Sequence, residues 1–65
     1  MTYVQLLFLG VDEARLKLGM TIDEVAPLCG VTPLSYKRWR KGKPIQAERE
    51  HILQAVLKQL KTYGG

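Results

Sequence analysis

Cysteine, histidine and serine are nearly absent from this 65-residue chain, which has one of each: Cys29, His51 and Ser35. A lone cysteine excludes an internal disulfide and offers no thiol cluster for zinc. One histidine and one serine do not make the nucleophile and base sets of active sites. We therefore expect no enzyme, no metal and no cofactor. We interpret Cys29 as an inert buried thiol and His51 as an exposed helix residue.

Long apolar runs are also missing. The apolar stretch at residues 2–11 is far shorter than the roughly 20 residues that a membrane span needs. It shows no basic leader and no small-residue cleavage site. The single cysteine is typical of a reducing compartment, so we expect a soluble, cytoplasmic protein.

Acidic residues are absent from residues 28–44, although the chain as a whole contains six. The same segment holds five cations within seven positions, namely Lys37, Arg38, Arg40, Lys41 and Lys43. A net charge of +4 concentrated in this way is suited to a polyanion. A solvated basic face without a ligand is the alternative. The acids elsewhere, including Asp12 and Glu13, we interpret as helix-start or surface residues.

The length predicts one domain, residues 1–65, because the chain cannot supply two cores. A core of this size is marginal, and neither a disulfide nor a metal is expected to support it. Besides disulfides and metals, small domains are commonly stabilised by oligomerisation, so we expect a homodimer.

Helical periodicity and capping residues predict four helices and an all-α fold. The first helix covers residues 3–18. Gly10 marks either a bend in this helix or the end of a strand that precedes a shorter helix at residues 11–18. Thr21 and Glu24 form a capping box for the second, in which Pro27 is awkward. The third begins at the Thr32 cap and runs to about Lys41, and the last covers about residues 46–62. We expect residues 63–65 to fray.

The first helix carries apolar residues on two faces. Val4, Leu7, Phe8, Val11, Ala14 and Leu18 share the face expected to enter the core. Leu6, Leu9 and Leu16 lie on another face, and are either a partner surface or part of a core that wraps the helix. We predict a dimer interface at Leu6 and Leu9, with Leu57 and Leu60 on the last helix as the second candidate.

Residues 21–41 combine a capped helix, a glycine turn at Gly30 and a second helix rich in cations. This order is typical of a helix-turn-helix motif whose second helix enters the major groove of DNA. The stretch from Leu16 to Pro44 resembles the phage Cro/repressor family of helix-turn-helix regulators. Leu18-Gly19-Met20-Thr21, Val25-Ala26, Cys29-Gly30-Val31, Tyr36, Trp39 and the ending W-R-K-G-K-P carry the resemblance. It implies a lambda-repressor-like fold and a dimer that binds operator DNA. Pro27 and the large Tyr36 depart from the family's pattern.

The third helix presents two kinds of candidate DNA contact. The predicted base contacts are Pro33, Leu34, Ser35 and Arg38, and the predicted phosphate contacts are Thr32, Lys37, Arg40, Lys41 and Lys43. The Arg38 fork matches guanine O6 and N7. Leu34 either touches a thymine methyl group or packs on the last helix. Trp39 is interpreted as a core residue in preference to a stacking platform.

These observations predict a sequence-specific transcriptional regulator, a phage or prophage repressor or Cro-like protein that binds double-stranded operator DNA as a homodimer. We expect no membrane partner and no small-molecule substrate. Two alternatives remain open. One is an excisionase-like factor that bends DNA, and the other is a small inhibitor module that binds a protein through the apolar first helix.

Overall fold

A computed structural model describes residues 1–64 of the chain, and the regular elements of this part are all helical. They are α1 (Tyr3–Lys17), α2 (Ile22–Val25), α3 (Pro33–Arg40) and α4 (Glu50–Gly64). Short 3-10 turns at Ala26–Cys29 and Ala47–Arg49 extend α2 and precede α4. The predicted small all-α fold with four helices is confirmed.

Helix α1 begins at a capping box that the sequence analysis did not identify. The Thr2 hydroxyl accepts a hydrogen bond from the Gln5 N–H at 3.2 Å, and the Gln5 side chain accepts one from the Thr2 N–H at 2.9 Å. The helix continues through Gly10, so the alternative that this glycine ends a strand is wrong. A Cβ atom there would lie 3.2 Å from Leu57 Cδ1, so Gly10 lets α4 approach α1 closely.

Helix α2 starts at the predicted capping box. The Glu24 N–H donates to the Thr21 hydroxyl at 3.2 Å, and the Glu24 carboxylate accepts from the Thr21 N–H at 2.9 Å. The Thr21 hydroxyl also donates to this carboxylate at 3.1 Å. The two bonds that the carboxylate accepts lower the pKa of Glu24, the one from the Thr21 N–H most. The α-helix ends at Val25 because Pro27 has no N–H for its ladder, and the chain continues as a 3-10 turn.

The last helix differs from its prediction at both ends. Residues Ala47–Arg49 form a 3-10 turn, and α4 itself begins at Glu50. The helix runs through Gly64, so it includes residues 63 and 64, which lay beyond its predicted end, and Gly65 lies outside the described residues.

The core lies mainly between α1 and α4, with α2 and α3 closing one side. Its buried hydrophobic side chains are Val4, Leu7, Phe8, Val11, Val25, Ala26, Cys29, Tyr36, Ile45, Leu53, Val56 and Leu60. Ile45 was not expected there. Leu60 was predicted at a dimer interface, but it is 1% exposed and belongs to this core.

No helix within residues 1–64 has both the length and the apolar character needed to cross a bilayer.

Candidate nucleic-acid interface

A sharp turn and a capped start orient helix α3. Gly30 has a φ of 73°, in the left-handed region that ends a helix abruptly. Thr32 then caps α3, its hydroxyl oxygen accepting from the Ser35 N–H at 3.2 Å. Pro33 occupies the first helical position, where a missing N–H is harmless.

The outward face of α3 is cationic and carries one large apolar residue. Leu34, Lys37 and Arg38 share one face of α3, and Lys41, the residue that caps its C-terminal end, continues this face. All four are exposed. Together with Arg40 they line a shallow depression of about 500 Å³. Leu34 is 60% exposed, so the alternative that it packs on the last helix is wrong.

The inward face of α3 is held by aromatic packing and one polar contact. Tyr36 is fully buried, and its ring meets Phe8 edge-on with 4.8 Å between centroids. Its hydroxyl donates to Asp12 Oδ1 at 2.8 Å. Burial raises the pKa of Tyr36, and the hydrogen bond to Asp12 raises it further. Trp39 is half-buried and packs against Phe8 at 5.5 Å, as predicted for a core residue.

Asp12 lies at the centre of a polar cluster, and its interpretation as a helix-start or surface acid is wrong. Besides Tyr36, its Oδ1 accepts from Arg15 Nε at 2.9 Å. Arg15 is buried, and its Nη1 donates to the Met20 carbonyl at 3.0 Å, which ties α1 to the segment before α2. Burial lowers the pKa of Arg15, but Asp12 and Tyr36 together outweigh it and the net shift is upward. The three-residue spacing of Asp12 and Arg15 was the sequence signal for this pair.

The cluster also reaches one of the predicted phosphate contacts. Arg40 Nε lies 3.6 Å from Asp12 Oδ2, and the Arg40 side chain is 45% exposed. Part of its charge is therefore already balanced inside the protein. Lys43 follows Gly42, whose φ of 92° turns the chain, and is exposed.

The predicted contacts at the start of α3 divide between two surfaces. Pro33 and Ser35 are half-buried, and Thr32 is exposed. Ser35 accepts from the Thr32 hydroxyl at 3.2 Å. It also lines a second hollow, of about 230 Å³, with Trp39 and Arg49. Ser35 therefore lies on the flank of α3. Arg49, a cation that the sequence analysis left out of the site, borders this flank.

The predicted dimer residues occupy different environments. Leu6 and Leu9 are about half-exposed on α1, and Leu16 continues the same stripe with 61% exposure. Leu57 is half-buried beside Gly10. With Leu60 in the core, α4 does not present the apolar pair that was predicted.

Cys29 lies in the environment expected of an inert thiol. Its thiol is buried, and burial raises its pKa to about 11. Within the part of the chain that the structure describes, no three His, Cys, Asp or Glu side chains are grouped as a metal site would require.

Comparison with protein-family models, with curated proteins and with solved structures finds no match to this chain.

Proposed function

We propose that this chain is a DNA-binding transcriptional regulator that inserts α3 into the major groove. The observation that supports this function best is the outward face of α3. It presents Lys37, Arg38 and Lys41 around the exposed Leu34, in a segment without any acid. Clustered cations neutralise phosphates, and an apolar side chain among them can contact a thymine methyl group.

The rear of α3 supports the same proposal. A recognition helix has to be held rigidly, because base contacts depend on small distances. Tyr36 is locked by Phe8 and by Asp12, so the helix is held against α1 by both packing and a hydrogen bond. Within this proposal Arg38 reads a base, whereas Lys37, Lys41 and Lys43 contact phosphates.

A homodimer is the second part of the proposal. Leu6, Leu9 and Leu16 form an exposed apolar stripe along α1. Pairing of two copies through Leu6 and Leu9 would remove both side chains from water. A two-fold dimer on DNA needs recognition helices about 34 Å apart.

Salt dependence of DNA binding tests the proposal directly. The dissociation constant for a duplex of random sequence would be measured by fluorescence anisotropy over a series of KCl concentrations. Each neutralised phosphate contributes about −0.9 to the slope of log affinity against log salt, so a dimer should give roughly −4 to −7. A slope near zero would exclude DNA binding.

A charge-matched pair of variants localises the binding surface. Lys37→Gln with Lys41→Gln should reduce the slope by about 1 for each phosphate that is no longer neutralised. Lys58→Gln with Lys61→Gln removes the same charge from exposed positions on α4 and should leave most of the slope intact. Equal effects of the two double variants would show that α3 is not the binding surface.

A further inference from the structure

A groove beside the cationic face combines an apolar floor with a cationic rim. It has a volume of about 460 Å³ and lies between the first half of α1 and the C-terminal end of α3. Leu9 and Trp39 contribute exposed apolar surface to it, above the buried Phe8 and Ile45. Arg40 and Lys41 contribute the charge. No acidic side chain is among the described residues that line it.

The positive charge of the rim favours an occupant with negatively charged groups. The C-terminal end of α3 carries a partial negative charge of roughly half a unit, which the two full positive charges of Arg40 and Lys41 exceed. Asp12 balances Arg40 only from 3.6 Å, and this carboxylate already accepts from Arg15 and Tyr36. The rim therefore remains attractive to carboxylates.

The apolar floor of the groove favours an occupant that also carries apolar side chains. Leu9 is 48% exposed and Trp39 is half-buried, so both offer uncovered area in the groove. Apolar anchors on one face and carboxylates at the edges are the properties of an acidic amphipathic helix, which binds in grooves of this kind.

We propose that this groove is a docking site for an acidic amphipathic segment of another protein, and that its occupation releases the chain from DNA. Arg40 and Lys41 line both this groove and the depression on the outward face of α3. An acidic segment bound here neutralises Lys41, which would otherwise contact a phosphate. It also covers Leu9, and so opposes self-association through α1. The release from DNA rests on the proposed function, whereas the docking itself does not.

Trp39 is the one tryptophan of the chain and lies in the groove, so its emission reports occupation directly. The probe is a short synthetic peptide with Leu and Phe at every third or fourth position and Glu between them. It is titrated into protein at a concentration where sedimentation gives a monomer. We expect a saturable change in emission, and affinity about tenfold weaker when Gln replaces every Glu in the peptide.

Two charge-matched variants locate the site. Arg40→Gln with Lys41→Gln should weaken peptide binding about tenfold, whereas Lys58→Gln with Lys61→Gln, on α4 and outside this groove, should leave it nearly unchanged. Circular dichroism of each variant shows whether the helices persist. Unchanged Trp39 emission with the acidic peptide, or equal effects of the two double variants, would overturn the docking site.

A competition assay separates the docking from the release. Labelled duplex DNA is bound to the protein, and the acidic peptide is then added. Release of DNA by the Glu peptide but not by its Gln counterpart supports the whole inference. Peptide binding by a protein that never binds DNA leaves the docking site standing and removes the proposed function. Peptide binding that leaves DNA bound overturns the release.

Discussion

At the scale of single residues, Asp12 is the side chain that connects α1 to the rear of α3. Its carboxylate accepts from Arg15 and Tyr36, with hydrogen bonds of 2.9 and 2.8 Å. A buried arginine without its carboxylate partner is strongly unfavourable, because its charge remains desolvated without compensation. The carboxylate thus stabilises Arg15 on α1 and the rear of α3 at the same time.

Removing the Asp12 carboxylate should destabilise the fold much more than removing the Tyr36 hydroxyl that donates to it. Asp12→Ala should lower the free energy of unfolding by about 3 kcal/mol, since it leaves Arg15 buried and unpaired. Tyr36→Phe removes one hydrogen bond and should lower it by about 1 kcal/mol. Urea denaturation followed by circular dichroism measures both changes.

Glu13→Ala is the control for this comparison. Glu13 pairs with Lys17 at 3.4 Å, but both side chains are largely exposed. An exposed pair contributes little, so the loss should stay below about 0.5 kcal/mol. If Asp12→Ala were as stable as Glu13→Ala, the buried cluster would have no energetic role.

At the scale of elements, α3 separates its two faces sharply. Tyr36 faces the core, while Leu34, Lys37, Arg38 and Lys41 face outward. Substitutions on the outward face should therefore change recognition without changing the fold. Substitutions in the turn before α3 should instead change the fold, because Gly30 adopts a conformation that other residues rarely reach.

Two outward residues of α3 should affect DNA binding in different ways. Arg38→Ala should relax the preference at one base pair of each half-site, with a loss of about 1–3 kcal/mol of discrimination. Lys41→Ala should weaken binding to all sequences about equally. Selection from a library of operator variants measures both profiles. An unchanged preference profile for Arg38→Ala would assign the reading of bases to another residue.

The turn can be tested with a pair of glycine substitutions. Gly30→Ala combines a left-handed φ of 73° with a Cβ that would lie 3.2 Å from Ile52 Cδ1. Gly19→Ala has nearly the same φ, 72°, but its Cβ would meet no atom within 4 Å. Both should lose about 1 kcal/mol for the left-handed conformation.

Gly30→Ala should be the more destabilising of the two, because Ile52 or the turn must also shift. Thermal unfolding of the two variants side by side gives the difference. Equal losses of stability would mean that the turn adjusts freely to the added methyl group.

At the scale of the whole molecule, the exposed stripe on α1 stands out. Leu6 and Leu16 are more than half exposed, so they add nothing to a core that is already small. Cys29 is a free thiol and forms no disulfide that would support this core. Small domains of this kind are often supported by oligomerisation. The stripe is therefore where we expect two copies to meet.

The assembly prediction is that Leu6→Glu with Leu9→Glu produces a monomer that binds operator DNA much more weakly. Val4, Leu7 and Val11 remain in the core, so the fold itself should persist. Sedimentation over a concentration series measures the association, and circular dichroism serves as the control for folding. The stability of a wild-type dimer should also rise with protein concentration. A wild-type monomer at high concentration would contradict the prediction.

The sequence by itself determined the number and order of the helices and which faces of α1 and α3 are apolar or charged. Capping residues at Thr21 and Thr32 and apolar spacing in α1 are local signals, because they act over three or four residues. The buried Val4, Leu7 and Val11, the buried Tyr36 and the exposed cations of α3 all followed from this spacing. Pro27 also acted locally, by ending α2 early.

Only the tertiary structure decided which side chains meet across the chain. Asp12 and Tyr36 are 24 residues apart, so no local pattern joins them. Gly10 in α1 is explained by Leu57 on α4, and Leu60 proved to be a core residue. The groove between α1 and α3 exists for the same reason. Contacts between distant segments depend on how helices dock, and periodicity specifies a helix face but not the element that covers it.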